Sequence, residues 1–600
     1  MAAVLESKPS LPPPAGGAFL LGEPTERVMA PERFTEEQRL YFRTAQQFAR
    51  EQVLPKAAQM EKKDNALLRE LLRKAGELGL LMIDVPEAHG GLGLEKTTSM
   101  LVAEANGVQG SWSVTFGGHV GIGTLPIVWF GTPAQKAKYL PKLATGEWAA
   151  AYALTETGSG SDALGAKTRA ELSADGKHYL LNGSKQFITN AAFADVFIVF
   201  AKVDGEKFTA FIVDRATPGL TIGPEEHKMG IRGSSTCPLI FEDARVPAEN
   251  LLGEIGKGHK IAFNILNSGR LKLGVSVVGG MKYHLELALK YAQDRKQFQT
   301  PLAQFGLVRE KLSRMATAIY AVESMAYRTS GLIDAKLADA APTAPDYDAR
   351  TIAAIEEYNI EASILKVFGS EAVAMLIDEA LQIHGGYGFI EEFPVERAYR
   401  DQRVNRIFEG TNEINRMLIS GMLLKRAVKG QLPLFDFAQS VAEELTHKNL
   451  PRPRIADELA QESLAAECIK RLAVYSLKVA AETYGPELDK HQLVLSTVAD
   501  AVMDAYALDS MIARTRQAAG EGPLDPVRVA MIRQLATEAH ARSYNAAKKA
   551  LCAAVKGAEL AAHLTKVSPL YTFTPYDPAA LVETIASQVE AAGGYPLSVA

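Results

Sequence analysis

Three turn dipeptides in the middle of the chain limit the folds that it can adopt. They are Asp175-Gly176, Asn182-Gly183 and Asp204-Gly205. Asp-Gly and Asn-Gly are typical of two-residue turns that join antiparallel strands. The segments between and after them, such as VFIVFAKV and FTAFIVD, are rich in β-branched and aromatic residues, as strands are. Residues 151–262 are therefore predicted to form a small, mostly antiparallel β domain.

Helical patterns lie on both sides of this β domain. Thr35 and Gln38 form a capping-box signature at the start of the first apolar stripe. The predicted fold is multidomain and mainly α with a central β domain. Its parts are a disordered Pro/Gly-rich leader (1–32), an N-terminal α-helical domain (33–150), the β domain (151–262), an α-helical bundle (263–427), a linker with one amphipathic helix (428–455) and a C-terminal α-helical domain (456–600).

Composition excludes several functional classes. The 600 residues are 47% hydrophobic and 22% charged, as in ordinary globular proteins. A net charge of −5 argues against nucleic acid as a partner, since such binders usually carry a basic excess. Cys237, Cys468 and Cys552 are far apart and form no CxxC pair, so we predict a reducing compartment and no metal site.

The sequence also favours a cytoplasmic location. It contains no apolar run near the ~18 residues that a membrane span needs, and residues 1–32 lack the features of a signal or transit peptide. Basic residues Lys425, Arg426 and Lys429 lie near Leu432 and Phe435. Such a pattern can make peripheral contact with the inner face of an anionic membrane, but a solvated interdomain linker is the favoured interpretation.

Glu409 is the candidate catalytic residue. It lies between Phe408 and Gly410, just before a helix signalled by Thr411 and Asn412. A carboxylate at such a junction can be desolvated enough to act as a base near neutral pH. The alternative is an exposed glutamate that the helix dipole favours. On this stretch alone the exposed glutamate is favoured, because surface glutamate is common, and the rest of the chain has to change that interpretation.

Two polar loops predict a binding site for a flat ligand. The first is TETGSGSD, residues 155–162, whose backbone N–H groups and hydroxyls suit a phosphate or a polar ring edge. The second is FITN, residues 187–190, at the end of the next strand. Plain turns are the alternative. In the helical region, Gly117 and Gly118 either permit close packing or leave room for a ligand.

Five motifs taken together resemble the acyl-CoA dehydrogenase family of flavoenzymes. They are, in order, TETGSGSD, FITN, DRKQFQTPLAQF, QIHGGYGF and RIFEGTNEI. FNILNSGRLKLG, KVFGSEA and HQLVLSTVADAVMDAYAL are similar to the very-long-chain branch. The resemblance implies an α domain, a β-barrel domain and an α-helical bundle, followed by an extra C-terminal α-helical domain. It also implies FAD-dependent α,β-dehydrogenation of long- or very-long-chain acyl-CoA to trans-2-enoyl-CoA in β-oxidation, with electrons passed to electron-transfer flavoprotein.

The resemblance assigns roles to individual residues. Glu409 matches the family's base, and Ser268 and Gly269 cannot take a proton at the alternative base position beside Arg270. The flavin positions are Tyr152, Leu154, Thr155, Gly160, Ser161, Phe187 and Thr189. The positions for the adenosine-diphosphate part of an FAD shared between subunits are Arg295, Gln297, Phe298, Gln382, Gly385 and Gly386, with Thr411 and Glu413 following in the same site. The substrate positions are Ser161, Arg270, Gly410, Gly117 and Gly118.

A shared FAD would require a homo-oligomer, and a dimer is expected. Thr157 replaces the proline common in the family's first loop, which predicts a modest change in loop stiffness. Two other functions stay open from the sequence. One is an acyl-CoA oxidase that passes electrons to oxygen, and the other is a non-catalytic assembly or scaffold protein on the same fold.

Overall fold

The computed structural model describes residues 13–22, 28–449, 451–452, 457–571 and 573–598. The N-terminal domain starts as predicted, because Thr35 and Gln38 form a reciprocal capping box at the first helix. Its helices are α1 (Glu36–Phe48), α2 (Ala57–Glu61), α3 (Asn65–Glu77), α4 (Lys96–Ala105), α5 (Gly110–Gly117), α6 (Leu125–Phe130) and α7 (Pro133–Ala144). A π-helical segment, Gly118–Gly123, follows α5.

The β domain has an eight-stranded sheet in the order β6-β7-β3-β2-β4-β5-β8, with β1 beside β4. Most pairs are antiparallel, whereas β1–β4 and β2–β4 are parallel. The strands are β1 (Ala150–Ala153), β2 (Arg169–Leu172), β3 (His178–Thr189), β4 (Val196–Val203), β5 (Lys207–Asp214), β6 (Leu220–Ile222), β7 (Thr236–Pro247) and β8 (Leu251–Leu252).

Two of the three predicted hairpin turns are present. Asp175-Gly176 joins β2 to β3, and Asp204-Gly205 joins β4 to β5. The hairpin predicted at Asn182-Gly183 is wrong, because this pair lies inside β3 at a register shift opposite β7. Gly183 has φ 142°, and an added Cβ would lie 2.7 Å from Thr168 Oγ1. A glycine is therefore required here by a bulge and a close approach, not by a turn.

A helical bundle follows the sheet. Its axis is α8 (Gly258–Asp294), which packs along α11 (Asn359–His384). The other elements are the hairpin strands β9 (Lys296–Gln297) and β10 (Thr300–Pro301) and the helices α9 (Gly306–Leu337), α10 (Tyr347–Glu357), α12 (Pro394–Gln402) and α13 (Asn412–Val428).

The C-terminal helices pack against this bundle and share its hydrophobic core. They are α14 (Leu434–His447) in the predicted linker, α15 (Ala460–Tyr484), α16 (Gln492–Ala519), α17 (Pro526–Ala554), α18 (Gly557–Val567) and α19 (Pro578–Ala592). Two buried ion pairs join α9 of the bundle to α16. Arg328 pairs with Asp509 at 2.7 Å, and Arg514 pairs with Glu323 at 2.6 Å.

The prediction of a disordered leader is wrong for residues 13–22 and 28–32. Phe19 and Leu20 are buried, and the Phe19 ring packs on Tyr506. The Gly17 N–H donates to Glu361 at 2.7 Å. The carboxylate of Glu32 pairs with Arg514 at 2.9 Å. Proline and glycine content therefore misled the prediction, since a few apolar anchors and one ion pair are enough to hold this segment. Residues 1–12 and 23–27 lie outside the described part of the chain.

None of the described helices combines the length and the apolar character that crossing a membrane requires.

Candidate active site

Glu409 lies in a tight turn that leads into α13. Both Glu409 (φ 57°) and Gly410 (φ 79°) have left-handed backbone conformations. A non-glycine residue rarely adopts this conformation unless its surroundings impose it. Here Arg270 Nε donates to the Glu409 carbonyl at 3.2 Å, and Lys366 Nζ and Asn415 Nδ2 donate to the Gly410 carbonyl at 2.7 and 2.8 Å. Three side chains thus hold the turn through its backbone oxygens.

The Glu409 carboxyl faces a cavity between the N-terminal domain and the bundle. Its Oε2 atom is buried, with no hydrogen-bond partner among the described residues. Burial raises the pKa of Glu409 to about 7, although the charges of Arg270 and Lys366 act in the opposite direction. The residue keeps some accessible surface because it lines the cavity. A carboxyl in this state can hold or release a proton near neutral pH.

Helix α8 passes directly against this carboxyl at Gly269. A Cβ built on Gly269 would lie 2.5 Å from Glu409 Oε2, closer than any ordinary van der Waals contact. Glu409 and a side chain at position 269 would therefore occupy the same space. This geometry gives a physical reason for a glycine at position 269, which belongs to the alternative base position implied by the family resemblance.

Sequence reasoning missed Lys366, which is fully buried on α11. Besides the Gly410 carbonyl, its ammonium donates to Asn412 Oδ1 at 2.7 Å. Burial lowers the pKa of Lys366 to about 8. The available signal was a single lysine within the apolar run SILKVF, but a lysine on a helix is usually a surface residue.

The TETGSGSD loop is held in place by a second buried lysine that the sequence did not reveal. Lys185 Nζ contacts Glu156 Oε1 at 2.7 Å and the Leu154 carbonyl at 3.2 Å. The Gln186 N–H donates to the Thr155 carbonyl at 2.8 Å. Beyond this anchored start, Gly160 and Ser161 are exposed, and no atom of the described residues lies within 4 Å of a Cβ built on Gly160.

The FITN turn lies beside this loop and beside the glycine pair of the N-terminal domain. Phe187 has φ 59° and its side chain is 62% exposed. Asn190 is buried and donates to the Thr115 carbonyl at 3.0 Å. A Cβ on Gly118 would lie 3.2 Å from Thr189 and Asn190. The structure therefore brings the two predicted loops and Gly118 together.

Tyr152 connects these loops to Glu409. The residue is buried, and its hydroxyl has no hydrogen-bond partner in the described ranges. Burial and the nearby charge of Glu409 raise the pKa of Tyr152 well above its usual range. The flavin-type loops and the candidate base thus belong to one site.

A second exposed cluster lies at the far end of α8. The Arg295 guanidinium is 5.7 Å from the Tyr387 ring, so the DRKQF and QIHGGYGF motifs meet in space. Phe298 is 91% exposed, and Gln297, Gln382, Gly385 and Gly386 are exposed around it. Among the described residues, no hydrogen bond or ion pair joins this cluster to the Glu409 turn. Thr411 caps α13 by accepting the Ile414 N–H, while Glu413 is exposed in the first helical turn.

Comparisons with known proteins decide the family. Four family models, all described as acyl-CoA dehydrogenase domains, match residues 35–147 (N-terminal), 151–244 (middle), and 256–424 and 468–568 (C-terminal). A "Probable acyl-CoA dehydrogenase" of Bacillus subtilis is 50% identical over 93% of this chain and 95% of its own length. The chain belongs to the acyl-CoA dehydrogenase family.

Two further relatives support this family assignment. The human "Very long-chain specific acyl-CoA dehydrogenase, mitochondrial" is 39% identical over 74% of this chain and 70% of its own length. A crystal structure of an acyl-CoA dehydrogenase from Bacillus anthracis, complexed with FAD, has a TM-score of 0.95 and 47% identity, and the match covers 97% of this chain and 99% of that one. The predicted fold, including the extra C-terminal helical domain, is confirmed.

The residues present fit the FAD that acyl-CoA dehydrogenases use. Gly158, Gly160, Gly385 and Gly386 all have open space where a Cβ would stand, so a ligand can approach the backbone closely. Phe187 offers an exposed aromatic face next to the anchored Thr155. No group of three or more metal-ligating side chains is placed to hold an ion in the described residues.

Proposed function

We propose that this acyl-CoA dehydrogenase removes the α-proton and the β-hydride of long-chain acyl-CoA thioesters, with Glu409 as the base. The supporting observation is the position of Glu409: its carboxyl, whose Oε2 has no hydrogen-bond partner among the described residues, faces a largely apolar cavity beside the loops suited to the flavin. The two flavin loops are Thr155–Ser161 and Phe187–Thr189, with Tyr152 and Leu154 leading into the first.

The Glu409 carboxylate accepts the α-proton of the thioester. Arg270, Lys366 and Asn415 keep its turn in the left-handed conformation, so the carboxylate is positioned before substrate arrives. The Glu409 backbone N–H donates to the thioester oxygen and stabilises the negative charge that develops there. The chemistry that FAD supplies when bound is acceptance of the hydride from the β-carbon. The substrate's entry into the cavity excludes water, which keeps the pKa of Glu409 high.

The length of the cavity supports a long acyl chain. It follows one face of α8 from Gly269, beside Glu409, through Leu273, Ser276 and Gly280 to His284. Fifteen residues at a rise of about 1.5 Å each give about 22 Å. Each carbon of an extended chain adds about 1.25 Å at ordinary bond lengths and angles, so this face matches on the order of 16–18 carbons. Gly117 and Gly118 also line the cavity without adding bulk.

An anaerobic titration tests the proposal directly. Purified protein carrying FAD is mixed with saturated acyl-CoAs of 4 to 20 carbons, and flavin bleaching is recorded with product analysis. We expect the highest kcat/KM near 16–18 carbons and a trans-2-enoyl-CoA product. Absence of bleaching with every chain length would overturn the proposed reaction, and an optimum at four to eight carbons would overturn the chain-length proposal.

Electron-transfer flavoprotein is proposed as the electron acceptor because the chain resembles the dehydrogenase branch of its family. Turnover with this acceptor is compared with oxygen consumption and peroxide release in its absence. Rapid turnover with oxygen alone would favour an acyl-CoA oxidase instead.

The activity of the free protein is expected to fall as the pH is lowered through about 7. The raised pKa of Glu409 means that the carboxylate, which is the active form, is abundant only above that value. A pH profile of kcat/KM reports this ionisation in the free enzyme. Below the pKa of Glu409, we expect kcat/KM to fall about tenfold for each pH unit. A flat profile between about pH 5.5 and 8 would contradict the assignment of a buried base.

Arg295→Ala is expected to weaken FAD retention. Arg295, Gln297 and Phe298 are exposed next to Tyr387, Gly385 and Gly386, as they would be if a homodimer partner completed the site. Arginine suits a pyrophosphate through paired hydrogen bonds. Flavin content after gel filtration at low protein concentration measures the effect, with Arg245→Ala, an exposed arginine on β7, as a control. Equal flavin content in both variants would remove Arg295 from the cofactor site.

A further inference from the structure

Polar side chains cluster at the far end of the cavity, whose lining is otherwise largely apolar. Helix α12 presents one face there, with Arg397, Asp401 and Gln402 at helical spacing. Opposite them are Tyr283 and His284 of α8. Tyr283 is fourteen residues from Gly269, or about 21 Å along the helix. This polar end therefore lies where the last carbons of a long acyl chain would reach.

Arg397 brings a positive charge to this end of the cavity. Within the described ranges it makes no salt bridge, whereas Arg400, one turn further along α12, pairs with Glu396 at 2.5 Å and Glu61 at 3.3 Å. Asp401 also lines the cavity, but its carboxyl accepts the Ile231 N–H. The guanidinium of Arg397 is thus the cation in this region that remains available to a ligand.

Two buried amide groups at the same end each have one polar atom without a hydrogen-bond partner in the described part of the chain. They are Gln109 Nε2, a donor, and Gln402 Oε1, an acceptor, on residues that are 3% and 7% exposed. Both residues line the cavity. A Cβ on Gly110 would lie 2.9 Å from Asp401, so the segment that carries Gln109 packs against α12. A purely hydrocarbon chain end would leave these groups unsatisfied, which costs free energy.

We propose that this end of the cavity binds the ω-carboxylate of a long-chain dicarboxylic acyl-CoA, with Arg397 and the Gln109 amide as its donors. This inference rests on the proposed function and narrows its substrate class. Arginine and an amide N–H match a carboxylate through charge-assisted hydrogen bonds. The thioester end of the same substrate lies at Glu409. Two separate polar sites therefore bind the two ends of one molecule.

The test compares acyl-CoAs that differ only at the far end. Hexadecanoyl-CoA, 16-hydroxyhexadecanoyl-CoA and the mono-CoA thioester of hexadecanedioic acid are assayed beside the octanoyl and octanedioyl pair, which is too short to reach Arg397. In the wild type, we expect the ratio of kcat/KM for diacid over monoacid to be at least about tenfold higher at 16 carbons than at 8. We also expect the hydroxylated chain to fall below the diacid.

Arg397→Gln is expected to lower the 16-carbon ratio by at least about tenfold, chiefly through KM for the diacid, while kcat/KM for octanoyl-CoA, which is too short to reach Arg397, stays within about twofold. Arg397→Lys should retain much of the preference, because it keeps the charge. Arg403→Gln, which removes an exposed arginine just after α12, is the matched control and should change nothing.

Three results would overturn the inference: equal ratios at 8 and 16 carbons, an unchanged ratio in Arg397→Gln, or a preference for the hydroxylated chain over the diacid. If hexadecanoyl-CoA is oxidised and the diacid is not, the inference fails and the proposed function stands. If neither 16-carbon substrate bleaches the flavin, both fail.

Discussion

Glu409→Gln is expected to retain FAD and to lose flavin reduction by acyl-CoA by a factor on the order of 10²–10⁴ or more. The amide has nearly the same shape but cannot take the α-proton. The carbonyl of residue 409 would still accept from Arg270, and the Gly410 carbonyl from Lys366, so the turn should keep its conformation. Rapid mixing with saturating substrate, under anaerobic conditions, measures the chemical step apart from product release.

Glu521→Gln is the matched control for this variant. Glu521 lies in the loop between α16 and α17, outside the cavity and the predicted cofactor positions, and it is exposed. Its substitution should leave the bleaching rate within about twofold, as is usual away from buried features. If Glu409→Gln bleached its flavin at a near-normal rate, the base would have to be another residue. The non-catalytic scaffold alternative would gain support only if the wild type also failed to bleach.

Gly269→Ala is expected to reduce turnover by about 10²-fold, although the new methyl group carries no chemistry. Its Cβ would lie 2.5 Å from Glu409 Oε2, so the carboxyl must move away from α8. Misplacing a catalytic group by about 1 Å can cost this much. Stopped-flow bleaching with hexadecanoyl-CoA, together with a pH profile, would separate a displaced base from weaker substrate binding.

Gly117→Ala provides the comparison for the Gly269 variant. Gly117 also lines the cavity, but in the described part of the chain no atom lies within 4 Å of its built Cβ. We expect near-normal reduction of the flavin with medium-length chains. Equal losses in the two variants would show that the cavity tolerates no added methyl group anywhere, and the specific contact between position 269 and Glu409 would lose its support.

Local sequence patterns predicted the elements of this fold better than the contacts between them. The capping box at Thr35 and the turns at Asp175-Gly176 and Asp204-Gly205 depend on neighbouring residues alone, and all three are present. Asn182-Gly183 has the same local chemistry, but pairing with β7 makes it a bulge. Tertiary pairing decided between two structures that the dipeptide permits equally.

In the candidate site, too, local patterns were predictable from the sequence and long-range contacts were not. The role of Glu409 could be predicted from its motif. The roles of Lys366 and Lys185 could not, because the sequence does not distinguish a buried lysine from a surface lysine. Their burial depends on carbonyls and carboxylates from distant segments, such as Gly410 for Lys366 and Glu156 for Lys185. The close contact of Gly269 with Glu409 also joins residues 140 positions apart, which no local pattern can reveal.

The ordered N-terminal segment has a consequence for biosynthesis. Glu32 pairs with Arg514, 482 residues later in the chain, and Phe19 packs on Tyr506. At a synthesis rate of about 5–20 residues per second, the ribosome needs on the order of 25–100 s to deliver these partners. Until then Phe19 and Leu20 have no native surface to cover them. A segment that is made long before its partners must therefore be among the last to reach its final place, and it is exposed to chaperones and proteases throughout that interval.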